Sequence, residues 1–129
     1  MKKLLAISLG LCLLTACASI ETVKEARGEG SKKLYNYPIG KVHNATLSTA
    51  RKQELEVLES NEIEGRILLS HGVTLWSWGE RIAVFLNRVS DGATEVEIVS
   101  KPVMAPLNFP PDWVSLLFNG IDEELRAIR

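Results

Sequence analysis

Along this 129-residue chain, apolar residues recur at two spacings, two apart in some stretches and at helical intervals in others. The clearest strand pair is Glu80–Val89 and Thr94–Lys101. In the first, Ile82, Val84 and Leu86 share one face and Ala83, Phe85 and Asn87 the other. Ser90-Asp91-Gly92 between the two is hairpin-turn chemistry. In the second, Val96 and Ile98 point inward while Glu95 and Glu97 point outward. Polar residues on one side imply a sheet covered on one face only. Leu55–Glu59 and Ile63–Ser70 alternate in the same way across Ser60-Asn61-Glu62, which predicts a second hairpin. Leu34–Tyr37 reads as a further strand, stopped by Pro38.

Two stretches carry the helical period. In Ile39–Gln53, residues Ile39, Val42, Thr46, Thr49 and Ala50 fall on one side. After a proline-containing crossing over 102–111, a helix is expected from Asp112 to Arg126. Its prolines fit a first turn, and Asp112 complements the N-terminal dipole. Trp113, Val114, Leu117, Phe118, Ile121, Leu125 and Ile128 fall within about 140° of arc. Gly120 inside this helix costs about 1 kcal/mol against Ala, so the helix must lean on packing. The order β-α-β-β-β-β-α predicts an α+β domain over residues 34–129. It would be an antiparallel four- to five-stranded sheet with two helices packed on one face.

The N-terminal third is organised differently. Lys2 and Lys3 precede an apolar run, Leu4–Leu14, and small residues follow. This is the layout of a secretory signal. The run is too short to span a bilayer, which takes about 20 residues. Leu14-Thr15-Ala16-Cys17 resembles the lipobox of bacterial lipoproteins. That resemblance implies a signal peptide over 1–16, cleavage before Cys17 and lipidation of its thiol. Ala18, in place of an Asp, implies passage to the outer membrane with the domain facing the periplasm. Residues 17–33 then read as the lipidated Cys and a flexible polar tether. A short helix through Ile20, Val23 and Ala26, ended by Gly28 and Gly30, is the alternative reading of the same stretch.

Both cysteines, Cys12 and Cys17, lie in the export segment, so the domain holds no thiol for a disulfide, a metal or a nucleophile. Loss of Lys2 and Lys3 leaves 13 basic against 16 acidic side chains, a net −3. That balance provides no basic stripe for nucleic acid and no polybasic patch for anionic lipid.

Few residues suggest chemistry. Trp76 and Trp78, outside any helical pattern, form a candidate partner-binding patch or a cap on the sheet core, with a membrane-facing aromatic anchor as a third reading. Glu80 and Arg81 adjoin them. With Arg66 and Lys101 they could line up across strands, as an anion site or as ion pairs on the solvated face. His43 and His71, the only histidines, lack metal-site spacing and read as exposed and structurally neutral. No Gly-x-Ser-x-Gly or Gly-rich phosphate loop opens a helix. No catalytic residue, metal or cofactor is expected.

The segments Ser77-Trp78-Gly79-Glu80, Ile82-Ala83-Val84-Phe85 and Thr94–Lys101 resemble a group of small proteobacterial lipoproteins of unknown function, over most of residues 34–127. In element order the domain is also similar to the helix-grip domains of lipoproteins on the outer-membrane barrel assembly machinery. The family of small lipoproteins offers no catalytic residues to carry over, and the leading expectation is a non-enzymatic periplasmic binding domain serving envelope maintenance. Its partners would be the bilayer, through acylated Cys17, and an envelope protein. The alternative is a carrier holding an acyl chain or glycan fragment between helices and sheet, with a minor hydrolase as the third reading.

Overall fold

The computed structural model of the chain describes residues 20–104 and 109–128. The expected signal peptide and Cys17 lie outside the described residues. The elements run α1 (Ile20–Lys24), β1 (Ser31–Tyr35), α2 (Ile39–Lys52), β2 (Glu56–Asn61), β3 (Arg66–His71), β4 (Glu80–Ser90), β5 (Ala93–Pro102) and α3 (Trp113–Ala127). The strands form one antiparallel sheet in the order β1-β5-β4-β3-β2. The α+β class, the five strands and the two long helices are those that the hydrophobic pattern predicts.

The alternation decides which side chains meet. Ile82, Val84 and Leu86 of β4, Val96 and Ile98 of β5, and Ile67 and Leu69 of β3 line one face. Against them α2 sets Val42, Ala45 and Ala50, and α3 sets Trp113, Leu117, Ile121 and Leu125. Each fully buried Leu or Ile here contributes about 1.5–3 kcal/mol. The helix α3 begins as its sequence requires, with the Asp112 side chain accepting a hydrogen bond from the Ser115 N–H at 3.1 Å. Gly120 lies where α3 crosses α2, and a Cβ there would run into the Thr49 side chain. The glycine that weakens the helix on its own is what allows the two helices to approach.

Three expectations change. First, residues 20–33 do not form a tether; the alternative reading, a short helix through Ile20 and Val23, holds. A short helix, α1, covers the opposite face of the sheet and buries Val23 and Ala26 against Leu68, Ala83, Phe85 and Val99. The strand β1 then starts at Ser31, before the expected Leu34. Two buried side chains and an arginine sufficed: Arg27 lies 4.6 Å over the Phe85 ring and bonds Asn87. Composition favoured a coil because so few residues do the packing. Second, the sheet is therefore covered on both faces. Third, Ile63 is not an inward strand position. It sits in the β2–β3 turn, 99% exposed.

Glu97 belongs to this second face. It was expected outward and is 1% exposed. Its carboxyl accepts the Gly28 N–H at 2.7 Å and the Gly30 N–H at 2.8 Å. Burial of a carboxyl is tolerable only with such partners. They close the α1–β1 turn onto β5.

Candidate functional site

The segment 72–79 leaves β3 and re-enters the sheet at β4. It is pinned at its base and bare at its tip. The Thr74 N–H donates to the Ser77 carbonyl at 2.7 Å, and the Gly79 N–H donates to Ser77 Oγ at 3.0 Å. A second segment lies alongside. The Val103 N–H donates to the Gly79 carbonyl at 2.8 Å, and the Phe109 N–H to the Trp76 carbonyl at 2.9 Å. Ser77 is buried, whereas Val73, Thr74, Leu75, Trp76 and Trp78 are exposed. Leu75 is 94% exposed and Trp76 71%, with Val73, Trp78, Met104 and Phe109 also exposed. From Gly72 to Gly79 there is no charged residue. Trp76 and Trp78 thus form a surface patch, and the ring that caps the core is Trp113, 6% exposed.

Beneath the patch lies Glu80, 1% exposed, on the α2/α3 side of the sheet. It was expected on a solvated face and is instead at the end of the core. Ser77 Oγ donates to one carboxyl oxygen and Trp113 Nε1 donates to the other at 3.1 Å. His71 Nδ1 lies 3.4 Å from the same group, and the His71 ring packs on Trp113 with centroids 4.7 Å apart and planes tilted by 44°. Here the Ser77 hydroxyl is buried and bonded to Glu80, so the set is a brace that fixes the loop to α3.

The remaining expected residues do not assemble. Arg81 stands across from Lys101 on the α1 side of the sheet. Lys101 lies 3.4 Å from Glu29. Arg66 pairs instead with Glu59 at 2.6 Å and Glu64 at 3.0 Å. Its guanidinium holds the Glu59 carboxyl below the usual carboxylate range. His43 is not exposed. It is buried on α2, with Nε2 2.9 Å from Ser60 Oγ. Burial lowers its pKa, against a smaller opposing pull from Glu62. Among the described residues no group of three or more His, Cys, Asp or Glu could hold a metal ion.

A second polar cluster joins β1 to α3, where Lys33 donates to Asp122 at 2.6 Å. Burial pushes the Asp122 carboxyl up, but the bonds from Lys33 and Tyr35 outweigh it and leave the group below its ordinary range. Burial, then the nearby Asp122, raises the Tyr35 hydroxyl far above its ordinary value. A surface cleft of about 520 Å³ opens here, lined in part by Tyr35, Tyr37 and Leu125. Another of about 430 Å³ opens between α2 and α3, beside Ala45 and Ile128. Between helices and sheet, where the carrier alternative places its ligand, stand the core side chains of α2, α3, β3, β4 and β5.

Sequence reasoning missed Glu80 and Glu97 as buried braces. The available signal was a Gly-x-Gly turn at Gly28-Glu29-Gly30, whose exposed N–H groups need an acceptor, and a lone Glu at the start of a strand beside two aromatics.

No family model matches the chain, and no curated protein matches it in sequence. Among solved structures it is similar to the crystal structure of Ara h 8.0201, with a TM-score of 0.43 and 12% identity, over 74% of this chain and 95% of that one.

Proposed function

We propose that this chain is a bacterial outer-membrane lipoprotein, anchored through acylated Cys17, whose small domain faces the periplasm and acts by binding in envelope maintenance, without catalysis. The binding half rests on one observation. Two neighbouring loops, bonded to each other, present Val73, Leu75, Trp76, Trp78, Met104 and Phe109 to solvent at one end of the sheet. A concentration of apolar side chains on a small domain marks a contact surface, and Trp is the residue that carries most in such contacts. The 72–79 loop is tied from below to Glu80 through Ser77, which lowers the ordering lost on contact. The anchor half rests on Lys2-Lys3, the apolar run and Leu14-Thr15-Ala16-Cys17.

Two measurements test the reading. Growth with a labelled fatty acid should label the chain, and Cys17→Ala should abolish the label; labelling that persists in Cys17→Ala refutes the anchor. A photo-crosslinking residue in place of Leu75, activated in intact cells, should yield adducts with an envelope component. The same residue in place of Ile63, at the opposite end, should not. Equal yields at both positions would show that the aromatic end is not a contact surface.

A further inference from the structure

We propose that the aromatic end of the domain sits in the headgroup zone of the same bilayer that holds Cys17, as a second membrane contact beside the lipid anchor. The inference rests on the lipoprotein reading and adds what the patch touches.

The first support is reach. Ile20 packs against the cluster under α1, so the folded domain begins three positions after Cys17. Covalent geometry limits that path to about 10 Å. A tether of 16 residues would have let the domain float, whereas this one holds it against the membrane surface. Some face of the domain must then meet lipid.

The second support is which face can. The inward path from the anchor leads to α1, which packs on Leu68, Ala83, Phe85 and Val99. From Ala83 to Glu80, at the base of the aromatic loop, β4 covers about 10 Å. Between them on the same face stand Arg81 and its register partner Lys101. Lys101 is 3.4 Å from the exposed Glu29, and the exposed Glu56 reaches Ser70 beside Arg81, so the charges on this face are mixed. Beyond them the loop 72–79 carries no charge and two exposed Trp, which suits headgroup depth. At the other end of the sheet the exposed Ile63 and Val89 stand alone, flanked by Glu62 and Glu64 and by Arg88 and Asp91. That end does not match a membrane.

The test uses the full lipidated chain in vesicles of phosphatidylethanolamine with a minority of phosphatidylglycerol, with bromine on the acyl chains. Tryptophan emission should be quenched by the brominated lipid and shielded from iodide in the water. The quenching should be lost in Trp76→Phe/Trp78→Phe, whose thermal melting should match the parent because both rings are exposed. Emission from the parent that is no more quenched than that of the double variant, and open to iodide, overturns the proposal and leaves the anchor intact. So does a photo-adduct at Leu75 that is formed with a protein and not with lipid, which would keep the binding reading. Absence of fatty-acid label on Cys17 overturns the proposal and the lipoprotein reading together.

Discussion

Glu80 and Glu97 stand on neighbouring strands, each 1% exposed, on opposite faces of one sheet. Their partners differ in kind. Glu97 is satisfied by main-chain N–H groups of Gly28 and Gly30, in a turn where a Cβ on Gly30 would strike the Ile98 carbonyl. Glu80 is satisfied by side chains, Ser77 and Trp113, with His71 close by. The first fastens backbone to sheet and fixes where the chain enters the domain. The second fastens one side chain to another and fixes where the exposed loop stands. A buried carboxyl thus serves twice as a clasp, once for the entry segment and once for the candidate contact surface.

Substitutions can pull the two clasps apart. The largest effect is expected from Trp113→Ala, which removes a buried ring and leaves Glu80 short of a donor. It should cost about 3–5 kcal/mol in chemical denaturation. Next, Glu97→Ala strands two N–H groups and should cost about 2–3 kcal/mol. Amide exchange should then rise across residues 20–30 and stay unchanged in 72–79. If both segments loosen equally, the clasps are not independent. Glu80→Gln keeps the shape and loses one acceptor, so it should cost about 1 kcal/mol. Its exchange signature should be the reverse, confined to 72–79 and the start of α3.

The smallest effect is a pH dependence that touches neither clasp. The pKa of His43 is lowered by burial, so the folded state binds fewer protons than the unfolded one. Its contribution is whole above the unfolded value of about 6.5 and shrinks as pH falls from there toward the folded value. The carboxyls of Glu59, Asp122 and Glu124 are held low, and their contributions fade only at more acidic pH. Thermal melting between neutral pH and pH near 5.5 should therefore fall in the parent and fall less in His43→Gln. Equal slopes would remove His43 from the account.

The sheet and long helices were legible because their residues repeat a period. Ile82, Val84, Leu86, Val96 and Ile98 face one side by alternation alone. Leu117, Ile121 and Leu125 do so by helical spacing, and all are buried. What alternation gives is a face, never the neighbour that covers it. Glu97 was placed on the correct side and given the wrong environment, because nothing local announces that α1 returns over it. For the stretch after Cys17 the sequence left a tether and a short helix through Ile20, Val23 and Ala26 both open; what decided for the helix is the sheet face that buries Val23 and Ala26. The aromatic stretch was visible as an oddity. Trp113 stood on the apolar arc of its helix; that it, and not Trp76 or Trp78, caps this end of the sheet shows only in its bond to Glu80, 33 positions away.

Because β1 pairs with β5, the first strand to leave the ribosome must wait for the last. Gly30 and Glu97, which lock that seam, are 67 positions apart. Loops of this length close slowly relative to hairpins, so β2 to β5 can zip in order while the N-terminal segment remains unattached. This separation predicts that α1 and β1 seat late in folding, which pulsed amide exchange would show as late protection of residues 20–35. Until they seat, Leu68, Ala83, Phe85 and Val99 lie open and β5 is a bare edge, the state in which this chain is most exposed to self-association.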